Sequence, residues 1–220
     1  MQEYKVNKYT LLFDFDGVIM DTEGQYSKFW DAVGQKYLNL ENFGMKIKGQ
    51  SMKRIRFMYF SDCPEIGDKI VDDIMSYEEK LSYYYINGAE EFIKEASQKN
   101  VNIAVVTSSN DMKMNNVYAA HPELKDYFHY FITANQITKS KPNPECFLLG
   151  MKMFNAIPSR TIIFEDSIYG LTAARKSGAF VVGLATTYTK EEIEPLSDLV
   201  INDFTNTSVE EIISIAKKRS

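Results

Sequence analysis

Leu11-Leu12-Phe13-Asp14-Phe15-Asp16-Gly17-Val18 is an apolar run that stops abruptly at Asp-x-Asp-Gly. It reads as a buried strand delivering two carboxylates to its end, where a glycine lets the chain turn. Carboxylates in that position need a cation, or they cap the helix that follows. Working outward, β-branched apolar runs recur at 101–106, 130–133, 161–164, 179–184 and 199–201, each separated from the next by a stretch with helical spacing. Strands alternating with helices imply right-handed crossovers, and so an α/β fold with a doubly wound parallel sheet. The strand ending at Asp14 belongs to that sheet.

Ligands of such sheets collect beyond the carboxyl ends of the strands, near the point where strand order reverses. Asp14, Asp16, Thr107 and Asp166 each fall just past the end of an expected strand, so one fold assumption brings all four together. Taken alone, Thr107-Ser108-Ser109-Asn110 is an ordinary helix N-terminus, and Glu165-Asp166 reads equally well as the cap of the next helix. Between 22 and 87 the texture changes. No β-branched strand run occurs there, and the stretches 51–60 and 66–85 have helical spacing with many Tyr, Met and charged residues. This predicts a helical insert emerging beside the carboxylates, in the place of a lid. The domains expected are a discontinuous sheet domain, 1–21 and 88–220, and a helical domain, 22–87, with Gly88 at the return hinge.

Composition narrows the function. The 220 residues are 45% hydrophobic, enough for a substantial core, and the formal net charge of -5 speaks against a nucleic-acid surface. The basic cluster Lys217-Lys218-Arg219 reads as a solvated helix end. The start of the chain, 1–8, is polar, and no run approaches the roughly 18 apolar residues of a membrane span, so a cytoplasmic location without membrane partners is expected. Cys63 and Cys146 are too few and too far apart for a disulfide framework or a zinc site. Neither cysteine is followed by the Arg of a cysteine-phosphatase loop, His121 and His129 are the only histidines, and no Gly-x-x-x-x-Gly-Lys nucleotide loop occurs.

The Asp14-x-Asp16 motif, Thr107-Ser108-Ser109, Lys141-Pro142 and Glu165-Asp166, in this order, resemble the four motifs of the haloacid-dehalogenase-like superfamily over nearly the whole chain. The resemblance implies a Rossmann-like core with an inserted helical cap, and Mg²⁺ as cofactor. It implies Asp14 as the nucleophile that becomes an aspartyl phosphate, and Asp16 as general acid and base. Free aspartic acid titrates near about 4, so a protonated Asp16 needs surroundings that raise it. Thr107, the neighbouring Ser108 and Ser109, and Lys141 would bind the phosphoryl group. Magnesium would take Asp14, the Asp16 backbone carbonyl, Asp166 and, directly or through water, Glu165.

Asp21-Thr22 and Lys48-Gly49-Gln50-Ser51 look closest to the β-phosphoglucomutase-like group with a small helical cap. Two departures matter. Met52 stands where the mutases carry the Arg that holds a distal phosphate, and Tyr26 where they carry a His linked to acid/base control. Lys48 is the expected cap contact, with Arg54 or Lys53 as a substitute cation. The expected function is a magnesium-dependent phosphatase of small phosphorylated metabolites, sugar or polyol phosphates, acting as a monomer. A sugar-phosphate mutase is the alternative, and a catalytically silent phosphate-binding protein the remaining one.

Overall fold

The computed structural model describes residues 8–219; the polar segment 1–7 and Ser220 lie outside the described residues. The chain runs through β1 (Thr10–Phe13), α1 (Glu23–Val33), α2 (Phe43–Ile47), α3 (Met52–Tyr59), α4 (Pro64–Glu78) and α5 (Ala89–Gln98). It continues through β2 (Asn102–Val106), α6 (Asp111–Ala120), α7 (Leu124–Tyr127), β3 (Tyr130–Ile132) and α8 (Glu145–Met153). It closes with β4 (Thr161–Glu165), α9 (Ile168–Ser177), β5 (Phe180–Leu184), α10 (Lys190–Ile193), β6 (Leu199–Ile201) and α11 (Val209–Arg219). All strand pairs are parallel, in the order β3-β2-β1-β4-β5-β6. This is the doubly wound α/β arrangement expected from the sequence, and its order reverses at β1.

The period of two along each strand explains the layers. Leu11, Phe13, Ile103, Val105, Ile162 and Phe164 face one side, packing on residues of α5, α6, α7 and α11. Leu12, Ala104, Val106, Ile163 and Val181 face the other, against α8, α9 and α10. Phe13 and Phe164 are paired in register and stack at 4.5 Å between centroids, with Phe92 and Phe128 edge-on to Phe13. Burying side chains of this size contributes about 1.5–3 kcal/mol each, which fixes the two strand ends relative to one another. A third apolar cluster, including Trp30, Phe43, Ile47, Ile55, Ile70 and Ile74, is built from α1 to α4. No helix among the described residues is long and apolar enough to cross a membrane.

The helical run expected over 66–85 stops at Glu78, and the chain returns extended. Its backbone groups find partners across the connection instead of along a helix. Asp21 N donates to Tyr84 O at 2.8 Å, Ile86 N donates to Ile19 O at 2.9 Å, and Met20 bridges Tyr85 antiparallel. The Gln25 amide completes the substitution, donating to Ser82 O at 2.8 Å and accepting from Ser82 N at 3.0 Å. Gly88 then opens α5 with φ of 74°, and a Cβ there would meet backbone atoms of Phe204 and Thr205 at 2.7 Å. Only glycine satisfies both demands.

Candidate active site

The register that pairs Phe13 with Phe164 sets the next residues, Asp14 and Glu165, side by side at the carboxyl end of the sheet. Lys141 reaches between them from the segment before α8. Its Nζ lies 3.0 Å from Asp14 Oδ1 and 2.5 Å from Glu165 Oε1, with the lysine side chain 1% exposed. Burial opposes the Lys141 charge, but Asp14 and Glu165 outweigh it and the ammonium is held more firmly than in water. Asp14 itself is pushed well above the usual carboxylate range, first by burial and then by Glu165 and Asp16, against the lowering effect of Lys141.

Asp166 completes the cluster. Ligand oxygens of Asp14, Glu165 and Asp166 lie within 4.8 Å of one another, and all three residues are buried. Asp166 is raised well above its ordinary value by burial, then by Glu165, Glu23 and Asp14. Its Oδ2 is buried with no hydrogen-bond partner. An orphaned carboxylate oxygen in this setting is costly unless a cation takes it, and an all-oxygen donor set suits a hard divalent ion. The residues therefore fit the metal that the sequence motifs imply. Glu165 is placed less directly, since its Oε1 accepts from Lys141, and its Oε2 accepts from Ser167 N at 2.9 Å and Ser167 Oγ at 3.0 Å. Ser167, rather than either acid, caps α9 by accepting from Gly170 N.

Gly17 supplies the cradle for Asp166. Its φ is 73°, and a Cβ would lie 2.1 Å from Asp166 Oδ2. Gly17→Ala is expected to destabilise the fold by about 1–3 kcal/mol through the left-handed conformation. It should also cut turnover by displacing the carboxylate. Thermal melting and initial rates check this, and an alanine variant with native values of both would refute it.

Asp16 differs from the expectation of raised surroundings. Burial pushes its carboxyl up, but the Lys113 charge and hydrogen bonds from Lys113, Thr22 and Ser109 outweigh burial and hold it below the ordinary value. Lys113 Nζ lies 2.5 Å from Oδ1 and 2.6 Å from Oδ2, Thr22 Oγ1 donates to Oδ1, and Ser109 Oγ donates to Oδ2 at 2.9 Å. Lys113 carried no signal in the sequence reading. It follows the Asn110 cap of α6 as an ordinary polar helix residue, and its partner lies on another element.

Thr107 is buried at the end of β2, and its Oγ1 accepts from Ser109 N at 3.0 Å, so that amide is already engaged. Ser108 Oγ points across to Gly49 O at 3.4 Å. A cavity of about 400 Å³ joins Asp14, Asp16 and Asp166 to the insert, where Lys48, Met52 and Lys53 line it. Lys48 is paired with Glu23 at 3.1 Å, both largely buried. Arg54 is outside that lining: its Nε donates to Gln50 Oε1 at 3.2 Å and its guanidinium lies over the Tyr169 ring. The structure thus gathers Asp14, Asp16, Thr107, Ser108, Ser109, Lys141, Glu165 and Asp166, brings Lys48 to the rim in an ion pair, and turns Arg54 away.

The haloacid dehalogenase-like hydrolase family matches residues 11–184, so the chain belongs to that family. It is 30% identical over 217 residues to an uncharacterized protein of Haemophilus influenzae, covering 89% of this chain and 100% of that one. It is 26% identical over 176 residues to the phosphorylated carbohydrates phosphatase of Thermotoga maritima, covering 76% and 81%. The β-phosphoglucomutase of Clostridium difficile superposes with a TM-score of 0.79 at 21% identity over 96% of this chain and 98% of that one, a likeness of fold.

Proposed function

We propose that this hydrolase is a magnesium-dependent phosphatase of small phosphomonoesters, sugar or polyol phosphates, acting through an aspartyl phosphate on Asp14. The observation that carries the reading is the arrangement of Asp14, held by Lys141, beside the unpartnered oxygen of Asp166 and facing the same cavity as Asp16. Asp14 and Asp166 would hold a magnesium ion, with Glu165 in support and, as the family resemblance implies, the Asp16 carbonyl, and the ion would supply the charge neutralisation that lets a phosphate dianion approach a carboxylate. Asp14 attacks phosphorus while Lys141 offsets charge on the phosphoryl oxygens, and the Thr107 hydroxyl and Ser108 amide orient them. The ester oxygen leaves with a proton from Asp16, which Lys113 holds ionised in the free protein and which must therefore take up that proton from solvent as the substrate binds. Water then attacks the aspartyl phosphate, Asp16 takes its proton, and Asp14 and inorganic phosphate are regenerated.

Residues 22–87 act as the cap over the core of 1–21 and 88–220, of which 8–21 and 88–219 lie within the described residues, hinged where 19–21 pairs with 84–86. The Thermotoga maritima relative, a phosphatase of phosphorylated carbohydrates, supports the substrate class. The mutase reading requires a cation that grips a second phosphate. Met52 cannot do so and Lys48 is committed to Glu23, which leaves Lys53 at the rim. A charge-assisted contact is worth about 1.5–3 kcal/mol, or roughly tenfold or more in retention of a bisphosphate.

Hydrolysis is therefore expected to outpace any interconversion of β-glucose 1-phosphate and glucose 6-phosphate. Following free phosphate and both isomers, with and without β-glucose 1,6-bisphosphate, decides the matter. Fast, bisphosphate-dependent isomerisation with little phosphate release would establish the mutase.

A further inference from the structure

The site holds two buried lysines, and each is assigned to a different carboxylate. Lys141 lies against Asp14 and Glu165, while Lys113, 2% exposed, reaches both oxygens of Asp16. Lys113 is itself anchored. The Asn110 side chain accepts from its backbone N at 2.9 Å, and its ammonium lies 4.5 Å from the centroid of the Tyr26 ring. Tyr26 is fixed in turn by donating its hydroxyl to Glu78 Oε1 at 2.7 Å. Thr22 and Ser109 each bind one Asp16 oxygen from a rotatable hydroxyl. A single ammonium bridging both oxygens instead restrains the plane of the carboxylate, a geometric constraint that hydroxyls on separate oxygens do not impose.

We propose that Lys113 is a positioning residue that acts through Asp16. It holds the carboxylate where it takes a proton from the water that hydrolyses the aspartyl phosphate. In that step the water oxygen bonds phosphorus, its proton passes to Asp16, and the phosphorus–oxygen bond to Asp14 breaks, returning the Asp14 carboxylate and releasing phosphate. The inference rests on the phosphatase reading. Tyr26 and Glu78, both from the helical insert, back the ammonium, so the insert contributes to the geometry of the base as well as covering the cavity.

The test uses 4-nitrophenyl phosphate with magnesium, because nitrophenolate leaves without a proton and formation of the aspartyl phosphate is spared. Lys113→Met is expected to lower kcat by about 10- to 100-fold, part of the general-base contribution, and KM in proportion, so that kcat/KM, which reports formation of the aspartyl phosphate, stays within about twofold. A burst of one nitrophenol per enzyme should precede the slow steady state, and Lys113→Arg should restore part of kcat. Asp16→Asn/Lys113→Met should be no slower than Asp16→Asn alone, because a residue acting through Asp16 has nothing left to position. The double variant also leaves no buried lysine without its acid, so it tests the inference even if Lys113→Met folds poorly. Multiplicative losses in the double variant, or a raised KM at native kcat, would show that Lys113 acts independently of Asp16 and overturn the inference while sparing the phosphatase. Absence of turnover in the native enzyme would instead overturn the phosphatase reading and this step with it.

Discussion

Asp14→Asn is expected to abolish phosphate release, by on the order of 10⁴-fold or more, while the protein remains folded. The amide keeps the shape of the side chain and loses the nucleophilic oxygen, so no covalent intermediate forms. Stability should survive for a reason visible in the cluster. Lys141 retains Glu165 at 2.5 Å, so the substitution does not strand a buried ammonium. Asp14 is also a group whose folded value is raised, so its ionisation costs stability as the pH rises through that value. Removing the charge relieves this cost, and the metal-free variant should melt no lower than the native protein above neutral pH. Phosphate release, mass spectrometry of trapped phosphoenzyme, and thermal melting at two pH values measure the three parts. A homogeneous Asp14→Asn sample with near-native turnover would refute the covalent mechanism.

The parts of the site that strand endings carry were legible in the sequence. An apolar run stopping at Asp14, another ending before Thr107 and a third before Asp166 place those residues at one edge of the sheet once the strands are parallel. Relations between side chains on different elements were not legible. Lys113 begins a helix as Asp111-Met112-Lys113-Met114, a pattern that normally points such a side chain to solvent, and only the fold brings it to Asp16, 97 residues away. Because of that contact Asp16 is held ionised here, opposite to the protonated state its acid role led one to expect. Lys48 and Arg54 show the same limit. Each lies near the expected loop, but Glu23 takes one and Tyr169 covers the other, and neither partner is marked by local spacing.

Chelation should eliminate hydrolysis, and magnesium should raise the melting temperature in a pH-dependent way. Asp14, Glu165 and Asp166 converge with Lys141 as the cation bonded to two of them, while Asp166 Oδ2 lacks a hydrogen-bond partner and the nearby Thr187 hydroxyl offsets its burial only in part. Asp14 and Asp166 have raised folded values, so the stability they contribute is present below the ordinary carboxylate value and is lost as the pH rises through the raised ones. A divalent cation binds the deprotonated forms and reverses that loss, which makes its stabilising effect larger at pH 8 than at pH 5. At a concentration about 100 times the dissociation constant the gain is about 2.7 kcal/mol. For a chain of this size that corresponds to roughly 5–10 °C. Asp166→Asn should lose most of the shift, because it removes the unpartnered oxygen, whereas Asp14 Oδ1 and both Glu165 oxygens already serve Lys141 and Ser167. Melting curves with and without magnesium read the binding independently of turnover. Full activity in excess chelator, together with a magnesium shift that is absent or the same at both pH values, would rule out the metal site. A shift without hydrolysis would instead keep the site and remove the phosphatase.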